Sequence, residues 1–412
     1  MDQMTIFCVD MNEYYSQLCY FRPDDKEPIS YGLYAGTENY LIPMVVAKEP
    51  EVSRWYVGTE AVGRLYEITG FLEKAFRKES ILVDGEEIPA FSLLVLYVRR
   101  VLGLVSSVGC QKDRDGFVFC LERASKAARE TLRAVCEELE IPGDHVFITD
   151  KKEALSYYIM NQEPGLRMYD VLITDYWHKQ VHGFTLHTDR SVSPQVVSVT
   201  ETVIQSMEKE DEAFYQVLDE LLGQKSFSAV FLVGSGFEGE WMKRSLNRLC
   251  TGRRVFFGMN LYAKGACYYV REKRRVETET PAFVYLGGGN VLSNVCLKAW
   301  HQGKETDVTL IQAGLHWQDA KGSADILLKG PKENLSLNLC LYPLKKGQPQ
   351  EIPLSLPGFV VAKDTVARLS VTAKALSRKK FAVMVKDCGF GELYKSQGRS
   401  YEFTFDFIGE EK

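Results

Sequence analysis

The chain has 412 residues, 45% hydrophobic and 25% charged, and its 50 Lys+Arg against 55 Asp+Glu leave a formal net charge of −5. That balance excludes a disordered chain and gives no global basic signature for nucleic acid. At about 100–200 residues per domain, the length predicts two or three domains, each able to bury a core.

The first residues carry no basic segment followed by a long apolar one, so no signal peptide is expected. Residues 5–9 and 16–21 are β-branched and aromatic runs either side of a polar turn, which reads as strand, turn, strand. The most apolar stretch, residues 91–105, is interrupted by Arg99 and Arg100 and falls short of the roughly 18–20 residues of a membrane span, so a buried helix is expected. Within residues 124–139, Ala124, Ala128, Leu132, Val135 and Leu139 repeat every three or four positions, with charge on the other side. This is an amphipathic helix. It lies between expected strands at 116–121 and 145–148, and a helix at 154–160 precedes a strand at 170–174. Strands alternating with helices imply an α/β core. Further on come a helix ending near Leu222, a buried strand at 229–233, and a helix expected to turn Trp241, Leu246 and Leu249 inward.

Residues 271–281 are almost uninterrupted charge and polarity, the composition of a solvated linker or an exposed helix end. The main boundary is placed there, with domains at 1–270 and 282–412. Downstream, short alternating runs at 308–311, 325–328, 335–341, 366–372, 381–386 and 401–407 read as an all-β, sandwich-like domain. Ten cysteines include no C-x-x-C pair, and several sit inside apolar runs. Reduced thiols packed as small hydrophobes fit a cytoplasmic protein.

One glycine motif stands after a strand and before a helix: Gly234-Ser235-Gly236-Phe237-Glu238-Gly239. Glycines there let a pyrophosphate reach a helix N-terminus. The dinucleotide fingerprint also requires an acid about 20 residues on, and residues 241–271 contain none. A different set of segments, taken in order, carries more. Ile6-Phe7-Cys8-Val9-Asp10-Met11-Asn12 and Val171-Leu172-Ile173-Thr174-Asp175-Tyr176-Trp177 are two strands that each end in aspartate. Between them stand Tyr40-Leu41-Ile42-Pro43-Met44-Val45-Val46, Tyr56-Val57-Gly58-Thr59-Glu60-Ala61 and Thr149-Asp150-Lys151-Lys152-Glu153-Ala154. After them come the glycine loop and Asn260-Leu261-Tyr262-Ala263-Lys264-Gly265-Ala266.

In this order the segments resemble the nucleotide-binding domain of DnaK-type chaperones and, more distantly, actin. A DnaK-like front with a β-rich back also resembles uncharacterised bacterial proteins known only as a domain of unknown function. The resemblance implies a two-lobed actin/DnaK-like α/β ATPase fold ahead of the β-rich domain, with ATP or ADP and magnesium as ligands. It implies Asp10, Asp150 and Asp175 as catalytic candidates, Asp10 and Asp175 as magnesium ligands, and nucleotide contacts from Asn12, Glu13, Tyr176, Trp177, Gly234, Ser235 and Gly236. It also implies a protein or peptide partner held by the C-terminal β domain.

The sequence departs from that pattern where phosphate would sit. Asn12, Glu13 and Tyr14 replace glycine and hydroxyls in the first hairpin, and Tyr176, Trp177 and His178 replace glycine in the second. At about 5 Å and an effective dielectric near 20, Glu13 would repel each phosphate charge by roughly 3 kcal/mol. Strand-terminal aspartates also cap turns and helix starts. The expectation is therefore a degenerate nucleotide site on a protein-binding or scaffold module, with little or no ATPase activity and no ligand an equal alternative to nucleotide. An active Mg-ATP-dependent ATPase with chaperone-like partner release is the alternative.

Other candidates read more simply. His178, His182 and His187 lie within ten residues, but on a strand His187 points opposite to His182. Arg244, Arg248, Arg253 and Arg254 form an anion-facing patch or an exposed helix face. Cys388 lies in a tight turn, and Trp300, His316 and Trp317 line a groove or pack in the core.

Overall fold

The computed structural model describes residues 4–32, 40–49, 54–275, 281–331, 335–345, 347–391 and 395–408. The chain divides into two compact units. One comprises residues 1–187 and 199–281, the other residues 188–198 and 282–412.

The first unit is built on two mixed sheets. In one, Ile6–Met11 pairs in parallel with Gly116–Leu121, which pairs in parallel with Val146–Asp150. On its other side Ile6–Met11 turns back antiparallel onto Tyr15–Phe21, with Cys8 opposite Cys19 and Asp10 opposite Gln17. Gly116–Leu121 is buried at every position, as expected of a strand covered on both faces. The other sheet runs Arg254–Gly258, Phe227–Val233 and Asp170–Trp177 in parallel, then turns antiparallel at Gln180–Asp189. Both sheets thus bring a strand-terminal aspartate, Asp10 or Asp175, to a hairpin.

Helix Ala90–Leu104 buries Leu93, Leu94, Tyr97, Val98 and Val101 in the core of this unit. The Tyr97 hydroxyl donates to the Ile42 carbonyl at 3.2 Å and lies 2.7 Å from Ser16 Oγ. With the turn through Val108, this is the one described helix long and apolar enough, by length and composition, to cross a membrane. Its buried stripe belongs to the core instead. Helix Lys126–Glu138 starts at Ser125, whose side chain accepts from the Ala128 N–H, and it buries Ala128, Leu132 and Val135. Helix Lys243–Cys250 begins after Trp241 and buries Ser245 and Leu249; Trp241, just ahead of it, packs inward against the core, and Leu246 is half-buried. Helix Leu261–Arg275 includes residues 271–275 of the segment read as a linker, and residues 276–280 lie outside the described residues.

The second unit has two four-stranded antiparallel sheets. One orders Lys304–Ile311, Ser293–His301, Leu335–Pro343 and Gln350–Leu356, the other Lys321–Lys329, Val366–Ala375, Lys380–Asp387 and Ser400–Asp406. Strand Lys380–Asp387 alternates exposed and buried, with Phe381, Val383 and Val385 inward. These residues meet Leu297, Leu339 and Leu354 of the other sheet in one core. Each fully buried aliphatic side chain there contributes roughly 1.5–3 kcal/mol. Gln195, Val196 and Val197 pair in parallel with Phe283–Tyr285, and Val196 packs with Leu286 and Leu292.

The expected two-lobed actin/DnaK-like α/β ATPase fold followed by a sandwich-like domain is corrected here. Strand makes up 42% of the structure and helix 25%, spread over many small sheets, so the molecule is mostly β. The helix-strand alternation in the sequence rests on a few strongly periodic segments. It passed over Val46–Glu49, Arg54–Val57, Ser80–Val83 and Glu86–Pro89, four-residue strands in sheets of their own and too short to display a period.

Candidate functional site

The first hairpin turn is made by Asn12, whose side-chain oxygen accepts from the Tyr14 and Tyr15 N–H groups at 2.8 and 3.0 Å. This is the turn chemistry for which Asn is suited. Glu13 points away from the strand ends. Its carboxylate accepts from the Glu73 N–H at 2.7 Å, in the first turn of helix Phe71–Phe76, and burial raises its pKa. The charge repulsion expected of Glu13 is therefore corrected: the carboxylate is spent on a helix N-terminus, where negative charge is favourable.

Asp150 is the N-cap of helix Lys151–Met160 and accepts from the Glu153 N–H at 2.9 Å. Glu153 in turn accepts from the Thr149 hydroxyl at 2.9 Å. Burial raises the pKa of Asp150 against those bonds. The capping reading accounts for this residue.

Asp10 and Asp175 are both buried, and the residue that joins them is Lys151. Its ammonium lies 2.9 Å from Glu122 Oε2 and 3.9 Å from Asp175 Oδ2. Asp175 Oδ2 also accepts from the Tyr262 hydroxyl at 2.7 Å. The Lys151 ammonium stands 4.9 Å from the centre of the Tyr262 ring. Burial alone would lower the Lys151 pKa, but Asp175 and Glu122 outweigh it and raise it. Burial raises Asp10 to about 6, with Lys151 opposing and the charges of Glu122 and Asp175 adding. Behind Asp10 lie the buried thiols of Cys8, Cys19, Cys120 and Cys267, all uncrosslinked. Among the described residues, no group of three or more His, Cys, Asp or Glu side chains is placed to hold a metal ion.

The two hairpins meet through rings. Tyr15 packs on Trp177 with centroids 4.7 Å apart, and Tyr14 packs on His178 at 4.4 Å. Tyr176 is not in this contact. It is buried in the core, its hydroxyl donates to the Met207 carbonyl at 3.0 Å, and its ring faces Phe237 and Trp241.

The glycine loop is explained by the same residues. Gly234 has φ +104°, and a Cβ there would stand 2.4 Å from the Tyr176 carbonyl oxygen and 2.7 Å from Trp177 Nε1. A Cβ on Gly236 would stand 2.3 Å from the Tyr176 ring. Between them Ser235 opens the short 3-10 turn Ser235–Phe237. Glycine is required because the second hairpin occupies the place where a side chain would go. The loop lies in close contact with the second hairpin through Tyr176 and Trp177.

The structure thus brings Asp10, Asp175, Trp177, Gly234 and Gly236 into one region and gives Asn12, Glu13 and Asp150 local turn and capping roles. Lys151, Glu122, Tyr15 and Tyr262 complete the centre and were not singled out from the sequence. A signal existed for Lys151. Lys151 and Lys152 open a helix, where the macrodipole disfavours positive charge, so nearby acidic partners are implied. Lys152 indeed pairs with Glu201 at 3.0 Å, and His182 lies 3.1 Å from the other oxygen of that carboxylate. His187 is 2.8 Å from Asp170. Trp300 is 75% exposed, whereas Trp317 packs at the edge of the second unit's core.

A family model described as "Family of unknown function (DUF5716) C-terminal" matches residues 27–288. A second, "Domain of unknown function (DUF8552)", matches residues 290–407. No curated protein matches the chain.

Proposed function

The chain belongs to the DUF5716 C-terminal family of unknown function, and from that premise we propose that it is a protein-binding or scaffold protein whose internal centre is structural. The observation that carries the reading is Lys151. A buried ammonium supplied by the chain itself stands among Glu122, Asp10 and Asp175, where a ligand's cation would otherwise compensate the acids. The glycine loop supports the same reading, since its open edge is taken up by Tyr176 and Trp177. Buried charges arranged in this way hold neighbouring elements in register. The β-rich second unit is the surface proposed for a protein or peptide partner.

The rival reading, Mg-ATP hydrolysis coupled to partner release, draws on one observation. Asp10 Oδ1 and Asp175 Oδ1 are buried without a hydrogen-bond partner. Titration calorimetry with Mg-ATP, together with phosphate release by the wild type and Asp10→Ala, separates the two. The structural reading expects no heat of binding at millimolar nucleotide and no turnover. Tight binding with turnover abolished by Asp10→Ala would overturn it.

A further inference from the structure

At the edge opposite Asp175, where strands Asp170–Trp177 and Phe227–Val233 begin, the first unit carries an open groove of about 480 Å³. Met168, Tyr169, Lys225, Ser226, Thr251 and Arg253 are among its lining residues, and none of the lining residues is acidic. Met168 and Tyr169 are 67% and 63% exposed.

The charge of this groove differs from that of its surroundings. Arg244 pairs with Glu212, Arg248 with Asp219 and Arg254 with Glu163, so three of the four arginines read from the sequence as one patch are matched by carboxylates. The nearby Asp170 faces His187. Arg253 and Lys225 form no ion pair among the described residues. Arg253 is held in place instead, its Nε and Nη2 donating to the Leu249 and Arg248 carbonyls at 3.1 Å where helix Lys243–Cys250 ends. A fixed guanidinium loses little freedom when it receives a carboxylate.

We propose that this groove binds an acidic peptide segment of a partner protein, its carboxylates on Lys225 and Arg253 and an apolar side chain between Met168 and Tyr169. Charge complementarity selects the sign of the partner. The exposed apolar pair selects a peptide over a free anion, because an inorganic ion would leave Met168 and Tyr169 uncovered, whereas aromatic and Met side chains are typical of binding-surface centres. The site is separate from the Asp10–Lys151–Asp175 centre and does not depend on how that centre is read.

The test is selection from a random display library of peptides of about twelve residues on the full-length chain, with counter-selection on Lys225→Glu. A synthesised winner is then measured by fluorescence anisotropy. Lys225 is exposed, so its reversal leaves the fold intact, as a thermal melt of the variant would verify. The expected result is enrichment of Asp and Glu around Phe, Leu or Ile. Affinity should weaken at least tenfold in Lys225→Glu, about fivefold in Tyr169→Ala, and progressively with added salt. A pool without acidic bias, or a winner that binds wild type and Lys225→Glu equally, overturns the proposal. So does displacement of the peptide by micromolar inorganic phosphate, which would mark a small-anion site.

Discussion

Asp10 is held with its Oδ1 unpaired beside buried thiols, and its pKa rises to about 6 from 3.8. Because the folded value exceeds the unfolded one, the folded state binds the proton more tightly between these two pH values. The contribution of Asp10 to stability is complete below about pH 4 and is lost as pH rises through 6. A shift of this size corresponds to about 3 kcal/mol. Asp10→Asn should therefore be more stable than wild type at pH 8 by roughly 2–3 kcal/mol, with the gain vanishing near pH 3.8, as urea denaturation across pH would measure. An Asn variant no more stable at pH 8 would show that Lys151 already compensates the charge in full. At this scale the sequence was informative about which acids matter and silent about their partner. Asp10 and Asp175 are legible as strand-terminal acids, but their meeting with Lys151 depends on contacts between distant segments.

Two glycines in helices show how packing decides what an element tolerates. A Cβ on Gly265, in helix Leu261–Arg275, would stand 2.0 Å from the Ala154 carbonyl oxygen of helix Lys151–Met160, so the close crossing of the two helices depends on its absence. Gly103, in helix Ala90–Leu104, faces open space. Gly265→Ala should cost about 2–4 kcal/mol, because backbone must move. Gly103→Ala should stabilise by up to about 1 kcal/mol through helix propensity and a less flexible unfolded chain. Parallel thermal melts of the two variants measure both, and equal effects would contradict the packing account. Element by element, the long periodic segments were readable, notably Lys126–Glu138 and the alternating strands of the second unit. The short strands between Ile42 and Pro89 were not, since two to four residues cannot establish a period and pairing alone makes them strands.

For the whole molecule, residues 188–198 count with the C-terminal unit although residues on both sides of them in the chain belong to the first. The Leu286 N–H donates to the Val197 carbonyl at 2.8 Å, and Val196 shares a small core with Leu286 and Leu292. A fragment beginning at Ala282 lacks that acceptor and that side chain. Its Leu286 amide should exchange hydrogen at least tenfold faster than in the full chain, while Val371 and Val385 keep their protection; unchanged exchange at Leu286 would show the short strand to be dispensable. The sequence suggested a single boundary, since composition changes near residue 271 and carries no mark of the earlier excursion. The consequence reaches inheritance. A crossover in the gene between residues 198 and 282 would hand one parent's short strand to the other parent's partner for it. Residues 195–286 are therefore a unit of exchange within the first family segment, Val196 reaches the second segment through Leu292, and divergence at Val196 should be answered at Leu286 or Leu292.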